Sequence, residues 1–259
     1  MHLNPSEAER LLPARSRSAV VLMPSFGTCP TRLENQEYVT AWYAARGLPT
    51  VLGLDEASER SGWFSRSRAV NAAARRAVLE HPDRDVFVIC DNDLTPDPAP
   101  FLTALTVAGL HSAVMPHSVT LLTTPSGRRE LLMTGSTKRY EPVSQGSRSF
   151  VVITRDNFAR VNGMDEVFEG WGPEDLAFRL SIQKQLAPPL EMNGQRLHLW
   201  HPTDPSKRDM RQLTRNRKRK HAYQRASPTE AGVLAREYGR WDDGLRAPLE
   251  RGHGAPQHA

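Results

Sequence analysis

Cysteine is nearly absent: Cys29 and Cys90 are the only two in 259 residues. Two thiols so far apart make neither a zinc cluster nor a disulfide framework. The expectation for both is burial as small apolar side chains. Long apolar runs are missing too, and nothing approaches the roughly 18 residues of a membrane span. The opening stretch, MHLNPSEAERLLPARSRS, is too polar for the apolar core of a secretory leader. These absences read as a soluble, cytoplasmic protein with no transmembrane segment. No internal repeat and no low-complexity tract is present. Acidic excess is also lacking, since the formal net charge is +5. That basicity is local. Residues 207–225 hold nine Lys/Arg and one Asp, whereas the rest of the chain holds 25 Lys/Arg against 28 Asp/Glu. A question about the whole chain thus becomes a question about one segment.

What is present is a regular alternation of short apolar runs and helical patterns. AVVLM (19–23), PTVLGL (49–54) and DVFVIC (85–90) read as buried strands. TRLENQEYVTAWYAARG (31–47) reads as a helix with Leu33, Tyr38, Trp42 and Ala45 at near-helical spacing and Gly47 as its stop. SRSRAVNAAARRAVLEH (65–81) is an Ala-rich helix behind Ser caps. A helix over 98–108 and a strand near 112–119 follow. The order βαβαβαβ implies a mainly parallel sheet with helices on both faces, which binds ligands beyond the carboxyl ends of its strands. Residues 123–147 have weak periodicity and many turn residues, which reads as a loop-rich excursion with a hairpin. RSFVVITRDNFARVNG (148–163) is a strand running into a short helix, with Phe158 and Val161 inward. GWGPEDLAFRLSIQKQL (170–186) starts a helix. RLHLWHP (196–202) is a late strand, and TEAGVLAREYG (229–239) a last helix.

Four constellations carry chemistry. Asp91 and Asp93, in CDND at the tip of the third strand, point the same way if the chain stays extended. They then suit a hard cation such as Mg2+ or Mn2+, or else form a solvated turn. His198 and His201 are three apart; imidazole suits Mn2+, and a capped, partly buried pair is the alternative. In GWGPED, two glycines flank Trp171, so its ring could swing over a sugar or base. Glu174 and Asp175 occupy adjacent first-turn positions, where one could bind hydroxyls and the other take a proton. Arg68, Asn71 and Arg75 share one helix face that could neutralise a phosphate or simply be solvated.

Taken in order, these features resemble the GT-A-fold nucleotide-sugar glycosyltransferases, in particular the β-1,4-galactosyltransferase-like and bacterial family-2-like groups. The resemblance spans 19–204 and is most specific over SFVVITRDNFARVNGMDEVFEGWGPEDLAFRL (149–180). It implies an α/β, Rossmann-like mixed but mainly parallel sheet. It implies a metal-dependent inverting transfer of a sugar from a nucleotide-diphosphate donor, UDP first, to an acceptor hydroxyl. Asp91 and Asp93 match the metal- and diphosphate-holding pair, His201 the late metal ligand, and His198 the place of a second, softer ligand. Asp175 matches the base, and Glu174, Trp171 and Gly172 the positions that contact substrate. Pro24, Arg32, Arg68 and Asn71 match nucleotide-pocket residues. Pro173 departs from the second glycine common in that turn, and Asn92 from the usual apolar residue between the aspartates.

The expected layout is a lead-in over 1–18, a catalytic domain over 19–204, a basic helical extension over 205–245 and a disordered tail over 246–259. The run RNRKRK (215–220) is expected to be exposed and to face something anionic, either nucleic acid or an acidic glycan. A competing reading makes the chain a nucleic-acid-associated protein that works through 207–225. A mixed reading makes it a glycosyltransferase acting on a modified base or on a DNA-associated protein.

Overall fold

The computed structural model describes residues 18–25, 29–58, 62–143, 149–202, 209–237 and 241–242. The expected lead-in up to residue 17 and the expected tail lie outside the described residues. Ten strands and eight α-helices are described: β1 Ala19–Pro24, α1 Pro30–Ala44, β2 Thr50–Gly53, α2 Arg66–Glu80, β3 Val86–Ile89, β4 Leu94–Pro96, α3 Pro98–Val107, β5 Val114–Met115, β6 Val119–Thr123, α4 Pro125–Thr134, β7 Tyr140–Val143, β8 Val151–Thr154, α5 Arg155–Arg160, α6 Glu174–Gln185, β9 Leu190–Glu191, β10 Gln195–His198, α7 Met210–Arg225 and α8 Pro228–Arg236.

Two sheets result. The larger has the order β2-β1-β3-β8-β5-β9, the smaller β4-β10-β6-β7. Every residue of β1 and β3 is buried, as expected of strands covered on both faces. Alternation divides them between two cores. Val21, Met23 and Val88 pack with α1 and α3. Val20, Leu22, Phe87 and Ile89 pack with α2, Phe158, Phe178 and Trp241. The expected parallel order holds for β2, β1 and β3. β8 then pairs with β3 antiparallel, Ile89 opposite Val151. The excursion after β5 delivers the chain to the carboxyl end of β3, and from there β8 runs back into the sheet.

Residues 123–147 hold more order than their periodicity suggests. Thr124 caps α4 by accepting from the Gly127 amide, Pro125 opens it and Gly135 ends it at φ 76°. β7 then pairs antiparallel with β6. The inward face of α1 also differs from the expectation: Asn35, Val39 and Tyr43 are buried, and Leu33 is exposed. A polar residue turns inward because Asn35 is a clamp. Its Oδ1 accepts from Arg128 Nε on α4 at 2.6 Å, and its Nδ2 donates to the Trp200 carbonyl. This ties α1 and α4 to the segment that carries His201. Of the two cysteines, Cys90 is buried under the Tyr43 hydroxyl, whereas Cys29, expected to be buried, is half-buried.

Candidate functional site

The chain leaves β3 and turns at once. The Leu94 amide donates to the Asp91 carbonyl, and β4 then joins the smaller sheet antiparallel to β10 with Leu94 opposite His198. The Leu199 amide donates to the Asp93 carbonyl at 2.8 Å. Backbone register alone therefore brings Asp93 against the HLWH segment. Asp93 Oδ1 lies 3.4 Å from His198 Nε2 and Oδ2 lies 3.2 Å from His201 Nε2. One ligand atom from each of the three residues falls within 4.8 Å of the others. Arg32 approaches the same carboxylate, at 3.6 Å. Burial opposes the charge on Asp93, but His198 and His201 outweigh it and hold the carboxyl well below its usual range. Burial likewise opposes charge on His198, and Asp93 reverses the balance and raises it. His201 Nδ1 lies 3.0 Å from the Pro202 carbonyl. Donation there, with a cation in place of the Nε2 proton, is the orientation a metal-binding imidazole needs.

Because residues 91–93 turn rather than extend, the two aspartates part company, which corrects the expectation that both face one cation. Asp91 is outside the three-residue cluster. Its Oδ1 accepts from Arg66 Nε at 2.6 Å. The same guanidinium donates from Nη1 to Asp175 Oδ1 at 2.7 Å and from Nη2 to the Ser149 carbonyl. Arg66 is half-buried; desolvation works against its charge, and Asp175 and Asp91 overcome it and raise its pKa. Behind it Arg196 is 3% exposed and donates to the Thr120 and Ser149 hydroxyls. Burial lowers its pKa against the pull of Asp91 and Asp175. Glu174 adds an unusual group. Its Oε2 is buried without a hydrogen-bond partner. Burial, reinforced by the Asp175 carboxylate and opposed by Arg66, pushes its carboxyl up to about 8.

The turn before α6 is built for close approach. Gly170 has φ 63°, and its amide donates to the Phe64 carbonyl. A Cβ on Gly172 would meet the Asn216 side chain at 2.5 Å. Asn216 Nδ2, from the inner face of α7, donates to the Glu169 and Trp171 carbonyls. Trp171 itself stands 59% exposed.

The other expected pocket residues are scattered. Pro24 closes β1 opposite Gly53. Arg68 spends its guanidinium on Asp55 and Glu169, at 2.7 and 2.9 Å. Asn71 is buried and bonds both the carbonyl and the amide of Met164. Arg75 donates to the Trp241 carbonyl. All three tie α2 to neighbouring segments, which corrects their assignment to an open phosphate face. Arg66, missed in the sequence, sits two residues before Arg68, at the very start of α2. Ser65 caps α2 and so makes Arg66 its first residue; that cap was the available signal. Arg196 carried a signal as well, being two residues from His198 on a strand and so on the same side.

Residues 139–187 match the family model described as the N-terminal domain of galactosyltransferase. The chain is also similar to the catalytic domain of Drosophila β1,4-galactosyltransferase 7 in complex with xylobiose. The two share 18% identity, with 82% of each chain covered and a TM-score of 0.50. GalNAc-T7 with UDP, GalNAc and Mn2+ aligns at 13% identity over 80% of this chain and 42% of that chain, with a TM-score of 0.45. No curated protein sequence matches the chain. The fold is the GT-A fold that the sequence resemblance implied.

Proposed function

We propose that this protein is a metal-dependent glycosyltransferase that moves a sugar from a nucleotide-diphosphate donor, a UDP-sugar in the first instance, to an acceptor hydroxyl with inversion. One observation carries the reading. A carboxylate flanked by two imidazoles (Asp93, His198, His201) and a second carboxylate set at a helix start (Asp175) lie on either side of a three-residue turn. Fold analogy raises the expectation without supplying the activity.

The donor set fits a divalent cation. Asp93 is held ionised, His201 presents Nε2, and a mixed imidazole and carboxylate set suits Mn2+ better than the oxygen-seeking Mg2+. Asp93, His198 and His201 would hold the ion, while Asp91 stays paired with Arg66. When bound, it would neutralise the charge that develops on the departing diphosphate. The remaining chemistry belongs to the side chains. Asp175 takes the proton of the acceptor hydroxyl, whose oxygen attacks the anomeric carbon. The bond to the diphosphate oxygen breaks on the opposite face and its electron pair leaves with the nucleotide. A single base on one face gives inversion. Arg66 fixes the Asp175 carboxylate. Glu174, carrying its proton at neutral pH, has an unsatisfied group to offer an acceptor hydroxyl. Trp171 provides a flat apolar face for a sugar ring.

The test is donor hydrolysis across a panel of nucleotide sugars with Mn2+, followed by transfer to oligosaccharides and assignment of the product anomer. Turnover of one donor that is abolished by chelation and by Asp93→Ala is expected. A product that retains the donor's anomeric configuration overturns the role of Asp175, and full activity of Asp93→Ala in chelator overturns the metal site.

A further inference from the structure

The expected exposure of the whole 215–220 run is not what the structure shows. Arg219 turns inward, where it bonds Asp165 at 2.7 Å, Glu237 and the Leu234 carbonyl. With Gln212, Asn216 and Tyr223 it forms the packed side of α7. The cations that remain outside are Arg211, Arg215, Arg217, Lys218 and Arg225, all exposed. None has an acidic partner among the described residues. Arg211, Lys218 and Arg225 recur every seventh residue. Seven residues are close to two helical turns, so the three form one line with steps of roughly 10.5 Å along the axis.

That line has a direction relative to the site. Asn216, in the first half of α7, holds the Trp171 loop just before α6. Lys184, near the end of α6, donates to the carbonyl of Ala226, the residue after α7. The two helices therefore run side by side in the same sense. The row begins near the start of α6, where Glu174 and Asp175 sit, and leads away from it for roughly 21 Å.

We propose that this row is the docking track for the distal part of an acidic glycan acceptor, a chain with an anionic group on alternate sugars whose reactive end lies at Trp171 and Asp175. The proposal rests on the transferase reading and specifies its acceptor. Spacing favours a glycan over a nucleic acid. A nucleic-acid strand carries a phosphate about every 3.4 Å and is commonly held by stacking on exposed rings. The outer face of α7 shows no exposed Phe, Tyr or Trp, since Tyr223 is buried, and the imidazole of His221 is the one ring it exposes. Two sugar rings in an extended chain, by contrast, span a length comparable to one heptad. An anionic bilayer would need an apolar complement on the same face, and the exposed residues between Arg211 and Arg225 are polar or charged.

The test is equilibrium binding of the full chain to oligosaccharides of alternating uronic acid and N-acetylhexosamine, four, six and eight sugars long. Their sulfated counterparts, neutral oligomers of equal length and a single-stranded oligonucleotide of equal charge complete the set. Affinity is expected to rise with acidic chain length and to be absent for neutral oligomers. The sulfated arm reports whether carboxylate suffices. Arg211→Gln, Lys218→Gln and Arg225→Gln together should weaken the longest acidic oligomer at least tenfold. They should also lower the slope of log Kd against log salt by about two, on a scale of about 0.7 per lost contact. Donor hydrolysis should be unchanged. Equal binding by the triple variant, or tighter binding of the oligonucleotide than of the acidic glycans, overturns the track. Glycan binding that depends on the row in a protein that hydrolyses no nucleotide sugar overturns the transferase reading instead.

Discussion

As the proposed base, Asp175 is odd in isolation, because one of its oxygens already accepts from Arg66. The pairing fixes the orientation of the carboxylate at the start of α6. Replacing Asp175 by Asn keeps the shape and removes the basicity. Transfer should fall by about 100-fold or more, the scale of general-base loss, with the donor KM little changed in initial-rate assays. Arg66→Lys keeps the charge but replaces a planar three-way donor by a point charge that cannot hold Asp91, Asp175 and the Ser149 carbonyl together. A fall in kcat with an unchanged donor KM is expected. Glu174 supplies a pH signature. Its carboxyl is raised to about 8, so the protonated, donating form prevails below that pH and is lost above it. The acceptor KM should climb as the pH passes about 8. Glu174→Gln, a permanent donor, should flatten the climb while leaving low-pH activity in place; an unchanged alkaline limb in that variant would assign the limb to another group.

At the scale of elements, α7 works as a brace. Asp165 Oδ2 accepts from Arg219 Nε and from the Tyr223 hydroxyl, which lies 3.0 Å away. Both ion-pair side chains are largely buried. Asp165→Asn leaves the largely buried Arg219 with only the exposed Glu237 as counter-charge and should cost roughly 3 kcal/mol. A thermal melt should then fall by roughly 6 to 12 °C for a chain of this size. Elements were also where the sequence was most readable. Strands buried on both faces, β1 and β3, write continuous apolar runs, the edge strand β2 a shorter one, and Ser caps mark helices, so these and α2 were legible. α4 was not, because only Leu131 among its apolar residues is buried and its periodicity is correspondingly faint. Direction was not legible either: whether β8 enters parallel or antiparallel depends on where the excursion ends, which no local pattern encodes. At the site, residue types could be read and partnerships could not. Asp93 with His198 and His201 depends on the β4–β10 register, and the choice between Arg66 and Arg68 depends on one capped turn.

For the whole molecule, metal binding should appear as stability. An ion that binds only the folded chain adds RT ln(1 + [L]/Kd), about 2.7 kcal/mol at a hundredfold excess over Kd. Mn2+ should therefore raise the melting temperature of the wild type and do little for His198→Ala; an equal rise in both would place the ion elsewhere. No described helix is long and apolar enough to cross a membrane. The two sheets meet at residues 91–93. Asp91 follows β3 of the larger sheet, and Asp93 is latched to β10 of the smaller by its carbonyl. A donor that touches both halves would be a strut across a seam. Amide hydrogen exchange should then slow together in β3 and β10 when donor and metal are both present, while either one alone should protect only its own side. The catalytic cycle would be written in the mechanical coupling of two sheets, with nucleotide release as the moment the seam regains its freedom.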